Sequence, residues 1–112
     1  MTIYRMLCEH LETINDCIKL TKSKKFLFRK KRILLELKNI KNYISKSLFY
    51  YKKNMFQEVL KELNKIYSID LKKHKYYYLK NVYILLENDL NIIIKGIEGE
   101  YNYNLLVGGD ND

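Results

Sequence analysis

The side chains with the most obvious catalytic chemistry are two cysteines and two histidines, Cys8, Cys17, His10 and His74. A cysteine becomes an effective nucleophile when a histidine base contacts it. On a helix, however, Cys8 and His10 point about 200° apart, and Cys8 and Cys17 lie on opposite sides. The sequence has no phosphate-binding loop and no zinc-ligand spacing. We therefore expect no enzyme, no disulfide between the cysteines, no metal and no cofactor.

One short pattern nevertheless has a catalytic precedent. Residues 5–10 read R-x4-H, with Arg5 and His10 at the two ends. This pattern resembles the motif of HEPN-type ribonucleases, an all-helical, dimeric family that carries it late in the chain. The resemblance implies that Arg5 and His10 bind and cleave an RNA backbone. The other interpretation of His10 is a histidine at the edge of an apolar helix stripe. A helical ribonuclease is the third hypothesis, behind two without catalysis.

A basic stretch is the strongest candidate binding surface. The formal charge is +8, and residues 22–53 contain twelve Lys and Arg against one acid, Glu36. Phe26 and Phe28 lie among these cations and could stack on unpaired bases while the cations neutralise phosphates. The alternative is a solvated helix face with both rings in the core, its charge reflecting a Lys-rich composition. The predicted residues for a nucleic acid or an acidic partner are Lys24, Lys25, Arg29, Lys30, Lys31, Arg32, Lys38 and Lys41.

Tyrosine is unusually frequent, with eleven residues in the chain. Runs such as Tyr76-Tyr77-Tyr78 must place some rings outside, because adjacent helical residues point about 100° apart. Exposed tyrosine beside arginine is typical of protein interfaces. The alternative is that tyrosine replaces other large residues with its hydroxyl in water. The predicted groove for a protein partner is formed by Tyr43, Tyr50, Tyr77 and Tyr83.

Composition and hydrophobic spacing predict an all-α fold. The 112 residues include no Pro, and the four Gly all lie in the last 17 residues, so tight turns lack their usual residues. We expect a single domain over residues 1–100, a small bundle of four to five antiparallel helices in hairpins, and a largely disordered acidic tail over 101–112. Thr2 should cap the first helix, Asn54 should close the second, and Asn88-Asp89 should form a turn. The predicted helices span residues 3–21, 26–52, 55–69, 74–87 and 89–97.

Two segments match at an offset of 34 residues, the period of the tetratricopeptide repeat, which is a helix–turn–helix unit. Residues 43–71 resemble one repeat, and residues 77–97 begin a second copy. The positions that carry the resemblance are Tyr43, Ser47, Tyr50, Asn54, Phe56 and Val59, then Tyr77, Tyr83, Asn88, Leu90 and Ile93. Val59 and Ile93 stand where the family places small residues. The resemblance implies a non-catalytic scaffold that binds a partner in a concave groove. A helical bundle with hairpins of similar length is the alternative.

These observations favour a small non-catalytic protein–protein interaction module, either an adaptor or an inhibitor. Its partner would be a protein with an acidic surface, including one that handles nucleic acid. The alternative is a helical protein that binds nucleic acid directly through residues 22–53. No signal peptide or membrane-spanning stretch is evident, so we expect a cytoplasmic, reducing environment without membrane contact. A chain this short buries limited surface alone, which leaves a homodimer open.

Overall fold

A computed structural model describes residues 2–109, and this part of the chain is helical with no strand. Its four α-helices are α1 (Ile3–Ser23), α2 (Lys30–Lys52), α3 (Phe56–Ile66) and α4 (Tyr77–Gly109). A short 3-10 helix, η1 (Leu71–His74), precedes α4. The prediction of a small all-α bundle is confirmed.

The helices form an antiparallel ring around one core. Helix α1 packs on α2, α2 packs on α3, and α4 closes the ring by contacting both α1 and α3. Each helix contributes an apolar stripe spaced by three and four residues, as Ile33, Leu37, Ile40 and Ile44 do on α2, and all four are fully buried. The bundle is long and narrow, measuring 59 × 23 × 20 Å. The bundle therefore has two distinct ends. The candidate functional site lies at the end where α4 begins.

Local signals set several helix ends, and Thr2 and Asn54 act there as predicted. The Thr2 side chain accepts a hydrogen bond from the backbone N–H of Arg5 at 3.2 Å, which caps α1. Asn54 adopts the left-handed conformation, with φ of 57°, and forms the turn between α2 and α3. Asp70 caps η1, since its side chain accepts from the N–H of Lys72 at 2.9 Å. These ends depend on residues close in sequence, which is why the roles of Thr2 and Asn54 could be predicted.

One predicted feature of the later chain is wrong: Asn88-Asp89 forms no turn, because α4 continues through it. The same helix continues over residues 101–109, the first part of the predicted tail. Burial explains the continuous helix: Leu86, Leu90 and Ile93 form one unbroken stripe against α1 and α3. This packing outweighs the low helix propensity of asparagine and aspartate. Residues 110–112 of the predicted tail lie outside the described residues.

The start of α2 also differs from its prediction. The helix begins at Lys30 rather than at residue 26, and Arg29 before it has a left-handed backbone with φ of 58°. Phe26 and Phe28 therefore lie in the loop between α1 and α2, while Leu27 packs against the core. Consecutive side chains of a helix point about 100° apart, so a helix here could not alternate exposed and buried side chains as this loop does.

The two cysteines of α1 are free thiols, and their different burial gives them different reactivity. Desolvation raises the pKa of the Cys17 thiol from 9.0 to about 11, whereas Cys8 is half-buried. A rise of two units lowers the thiolate population at neutral pH about a hundredfold. In a Cys8→Ser variant, we predict that Cys17 reacts with Ellman's reagent at least about a hundredfold more slowly than free cysteine. Addition of urea should restore full reactivity; native reactivity equal to free cysteine would contradict this packing.

None of the helices in residues 2–109 is both long enough and apolar enough to cross a bilayer.

Candidate functional site

One end of the bundle brings together two basic segments that are distant in sequence. The loop between α1 and α2 lies against η1 and the start of α4. The Tyr76 hydroxyl makes this connection: it accepts from the Phe28 N–H at 3.1 Å and lies 3.4 Å from the Phe28 carbonyl oxygen. Lys24 Nζ also lies 5.2 Å from the centre of the Tyr78 ring. We call the following set the basic end: Lys24, Lys25, Arg29, Lys30, Lys31, Arg32, Lys72, Lys73, Lys75 and Lys80.

Lys30 is partly a structural residue of the basic end. Its Nζ donates to the carbonyl oxygens of Lys22 at 2.9 Å and Lys24 at 2.7 Å. Both carbonyls belong to the end of α1, where backbone oxygens lack helical partners and carry partial negative charge. Lys30 therefore caps α1 from the neighbouring helix. A ligand would compete with these bonds for its ammonium group.

A buried carboxylate organises the centre of the basic end. Glu36 Oε1 accepts from His74 Nε2 at 3.0 Å and lies 3.1 Å from Lys73 Nζ and 3.3 Å from Arg32 Nε. The side chains of His74 and Glu36 are 1% and 7% exposed, whereas those of Lys73 and Arg32 remain accessible. Glu36 thus attaches η1 to α2 and fixes two cations at the surface. Charge-assisted bonds of this kind are the strong ones in proteins.

A cavity of about 230 Å³ opens among these residues. A neighbouring cavity of about 390 Å³ shares Arg29 and Lys73 with it. Arg29 and Lys75, on two different segments, both have left-handed backbones, with φ of 58° and 59°. This conformation is costly for residues other than glycine and is concentrated at functional sites. The lining of the first cavity consists of Phe28, Arg29, Lys73, His74, Lys75 and Tyr76.

Aromatic rings are exposed among the cations. The exposed fractions of Phe26, Phe28 and Tyr77 are 99%, 72% and 84%. The alternative in which both phenylalanines enter the core is therefore wrong. Tyr77 lines a further cavity of about 460 Å³ together with Lys72, Lys75 and Lys80. Proteins that bind single-stranded nucleic acid combine exposed aromatic rings, on which the bases stack, with cations that pair with the phosphates.

Two residues of the predicted basic surface lie away from this end. Lys38 and Lys41 are exposed on α2, about 9 and 14 Å along the helix axis beyond Arg32 at 1.5 Å per residue. Conversely, the sequence prediction omitted the second basic segment. The run Lys72-Lys73-His74-Lys75 was visible in the sequence, but only the fold places it beside the first segment.

The four tyrosines of the predicted groove are distributed over separate places. Tyr43 lies on α2 beneath Lys65 of α3, at 5.7 Å from its Nζ, and Tyr50 packs against the core beside Phe49. Tyr83 is 9% exposed, and burial followed by a hydrogen bond to Glu87 raises its pKa to about 12. Tyr77 lies beside Lys72 and Lys75 of the basic end. Tyr83 lines a small cavity with Ile66 and Leu90, and Tyr77 lines a different one.

The residues of the R-x4-H pattern point to different surroundings. Arg5 is exposed and lies 3.5 Å from Glu9 on the same helix. His10 is buried, and its Nε2 lies 2.7 Å from Asp89 Oδ2. This bond joins α1 to α4 at the position where the sequence predicted a turn. Asp89 was missed as a partner because it is 79 residues away along the chain.

Residues 2–109 contain no group of three or more His, Cys, Asp or Glu side chains placed to bind a metal. Comparison with protein-family models, with curated proteins and with solved structures gives no match for this chain.

Proposed function

We propose that this protein is a non-catalytic binder of single-stranded nucleic acid and that the basic end is its binding surface. One observation carries the proposal: two basic segments about 40 residues apart converge around exposed aromatic rings. The formal charge of +8 favours association with a polyanion as well. The same observation moves the direct-binding hypothesis ahead of the tyrosine groove, whose rings are dispersed.

The chemistry of the basic end indicates how it would bind. Lysine supplies most of the cations, and its ammonium is a compact point charge rather than a bidentate fork. Such charges contact phosphates without reading base edges. Phe26 and Phe28 add stacking, which every base can provide. We therefore expect binding with little sequence preference and with strong dependence on salt.

The exposed rings favour single strands over duplexes. Phe26 is almost fully exposed, and its ring makes no described aromatic contact that binding would have to break. Bases in a duplex already stack on their neighbours, so a flat ring gains contact only with unpaired bases. Phosphate contacts alone remain for a duplex. Affinity for a single strand should therefore exceed affinity for a duplex of the same length.

Removal of the two rings tests this proposal directly. We predict that the double variant Phe26→Ala, Phe28→Ala binds a single-stranded oligonucleotide about 30-fold more weakly, because stacking contributes 1–3 kcal/mol per base. Its circular dichroism and melting temperature should match the wild type, since both side chains are exposed. Phe49→Ala is the matched control: that ring is 54% exposed on α2 near the opposite end. Equal affinities for all three proteins would refute a stacking role.

An acidic protein partner is the alternative occupant of the basic end. Poly-glutamate distinguishes the two, because it offers negative charge without bases. A preference for oligo-deoxythymidine over poly-glutamate of equal charge supports nucleic-acid binding. Equal affinity for the two polymers, unchanged when Phe26 is replaced by alanine, supports the acidic partner.

A further inference from the structure

The larger of the two adjoining cavities at the basic end is lined by cations from three segments. Arg29 comes from the loop between α1 and α2, Arg32 from the first turn of α2, and Lys73 from η1. The volume of about 390 Å³ is typical of pockets that hold small ligands. Like charges repel one another unless an anion lies among them. The cavity therefore favours a compact anion, which we call the ligand of the cation cavity.

Glu36 fixes two of these cations in place. Its Oε1 accepts from Arg32 Nε at 3.3 Å and lies 3.1 Å from Lys73 Nζ. The contact through Nε leaves both terminal amino groups of Arg32 for a ligand, and the Lys73 ammonium retains further donors. The Arg32 and Lys73 side chains are 63% and 44% exposed. Donors that are held in place and still accessible bind an anion at a lower entropic cost.

The charge of the cation cavity matches a phosphate monoester better than a backbone phosphate. Arg29, Arg32 and Lys73 together with Glu36 have a formal charge of +2. A phosphate monoester carries about −1.5 to −2 at pH 7 and three acceptor oxygens. Each phosphodiester inside a strand carries a single negative charge. In a nucleic acid, a phosphate monoester occurs only at the end of a strand.

We propose that the cation cavity binds the terminal phosphate monoester of a single strand, an inference that rests on the proposed function. The adjoining cavity of about 230 Å³ shares Arg29 and Lys73 and is lined by Phe28, whose ring is 72% exposed. The Arg29 guanidinium lies 5.3 Å from the centre of the Phe28 ring and so connects the two cavities. The terminal phosphate occupies the cation cavity while the terminal base stacks on Phe28. The basic end thereby distinguishes the end of a strand from its interior.

Two glycine substitutions form a matched pair for testing this site. Arg29 and Lys75 both have left-handed backbones, which glycine adopts without steric cost. Arg29→Gly and Lys75→Gly therefore each remove one cation and preserve the backbone, and neither should lower the melting temperature. Lys75 lines the smaller cavity, whereas Arg29 lines both. Only Arg29→Gly removes a donor from the cation cavity.

Isothermal titration calorimetry with oligo-deoxythymidine of about six nucleotides tests the inference, because so short a strand has few interior positions. Three strands are compared: one with a 5′-phosphate, one with a 3′-phosphate, and one with hydroxyls at both ends. At least one phosphorylated strand should bind about tenfold more tightly than the hydroxyl-ended strand, through additional charge-assisted hydrogen bonds. The two phosphorylated strands identify which end is bound. A methyl ester of that terminal phosphate keeps one charge and should lose most of the advantage.

The variants locate the effect. Arg29→Gly should reduce the tenfold ratio to about one, whereas Lys75→Gly should weaken all strands alike and preserve the ratio. Equal affinities of the wild type for the three strands would overturn this inference and leave the proposed function intact. A ratio unchanged in Arg29→Gly would overturn the assignment to the cation cavity. Binding of a phosphorylated strand alone would support the cavity and contradict the proposed function, and absence of binding by every strand would overturn both.

Discussion

The triple variant Lys25→Glu, Lys31→Glu, Lys75→Glu should bind a single-stranded oligonucleotide at least about a hundredfold more weakly than the wild type at 100 mM salt. These three side chains are exposed at the basic end and take part in none of its described hydrogen bonds or ion pairs. Each substitution removes one phosphate contact and introduces repulsion. The slope of log affinity against log salt should also decrease by about 2, because each contact to a single strand contributes about 0.7.

The choice of these lysines follows from the structure. Lys30, Arg32 and Lys73 contribute charge to the same surface, but they also cap α1 or contact Glu36. Their replacement would confuse lost binding with lost structure. A folded, weakly binding triple variant therefore assigns the effect to the surface.

A matched control separates local contact from overall charge. The variant Lys46→Glu, Lys53→Glu, Lys61→Glu carries the same net charge change at exposed positions outside the basic end. Beyond about 10 Å, salt at 0.1 M screens such charges from the ligand. We expect this control to retain affinity within about threefold of the wild type. A comparable loss in both variants would show that net charge, rather than the basic end, attracts the ligand.

Replacement of Glu36 should have the largest effect on stability. We predict that Glu36→Leu lowers the free energy of unfolding by about 2 kcal/mol, since leaving a buried hydrogen-bonding group without its partner costs about 1–3 kcal/mol. His74 would lose its partner in a buried setting, and η1 would lose its attachment to α2. Lys73 and Arg32 add little to this cost, because both are exposed to solvent. Urea denaturation followed by circular dichroism at fixed protein concentration measures it.

Glu62 provides the control for this prediction. It is a second buried carboxylate, but its Oε2 has no hydrogen-bond partner and its Oε1 contacts only the half-exposed Lys65 at 3.1 Å. An under-satisfied buried charge is costly, so an apolar replacement of similar volume is often neutral or stabilising. We expect Glu62→Leu to change stability by less than about 1 kcal/mol. Equal effects of the two substitutions would show that the contacts of Glu36 with His74 do not stabilise the fold.

The fold was predictable where short-range physics decides it. The apolar spacing of α1 and α3, the cap residue Thr2 and the turn residue Asn54 depend on neighbours within four positions. The continuity of α4 depends instead on its packing and on the bond between Asp89 and His10, 79 residues apart. Nothing local distinguishes a turn at Asn88 from a helix there, so the sequence could not supply this feature.

Only the first basic segment of the candidate site was predictable, because contacts between residues distant in sequence bring the second segment to it. Charge density alone identified Lys24 to Arg32, but the second half depends on Tyr76 and Glu36, which connect η1 to the first segment. The exposure of each tyrosine of the predicted groove was not predictable, because the rotation of each helix decides which rings are buried. Tyr83, for example, turns toward α3 and the core.

Binding of single-stranded nucleic acid by the basic end is the property on which the other expectations depend. Fluorescence anisotropy of a labelled 20-nucleotide single strand and its duplex, at about 50 and 200 mM salt, tests this binding most directly. About five phosphate contacts predict that affinity for the single strand falls about a hundredfold between these salts, with the single strand bound more tightly than the duplex. Absence of binding at the lower salt, or an affinity that salt does not change, would contradict it.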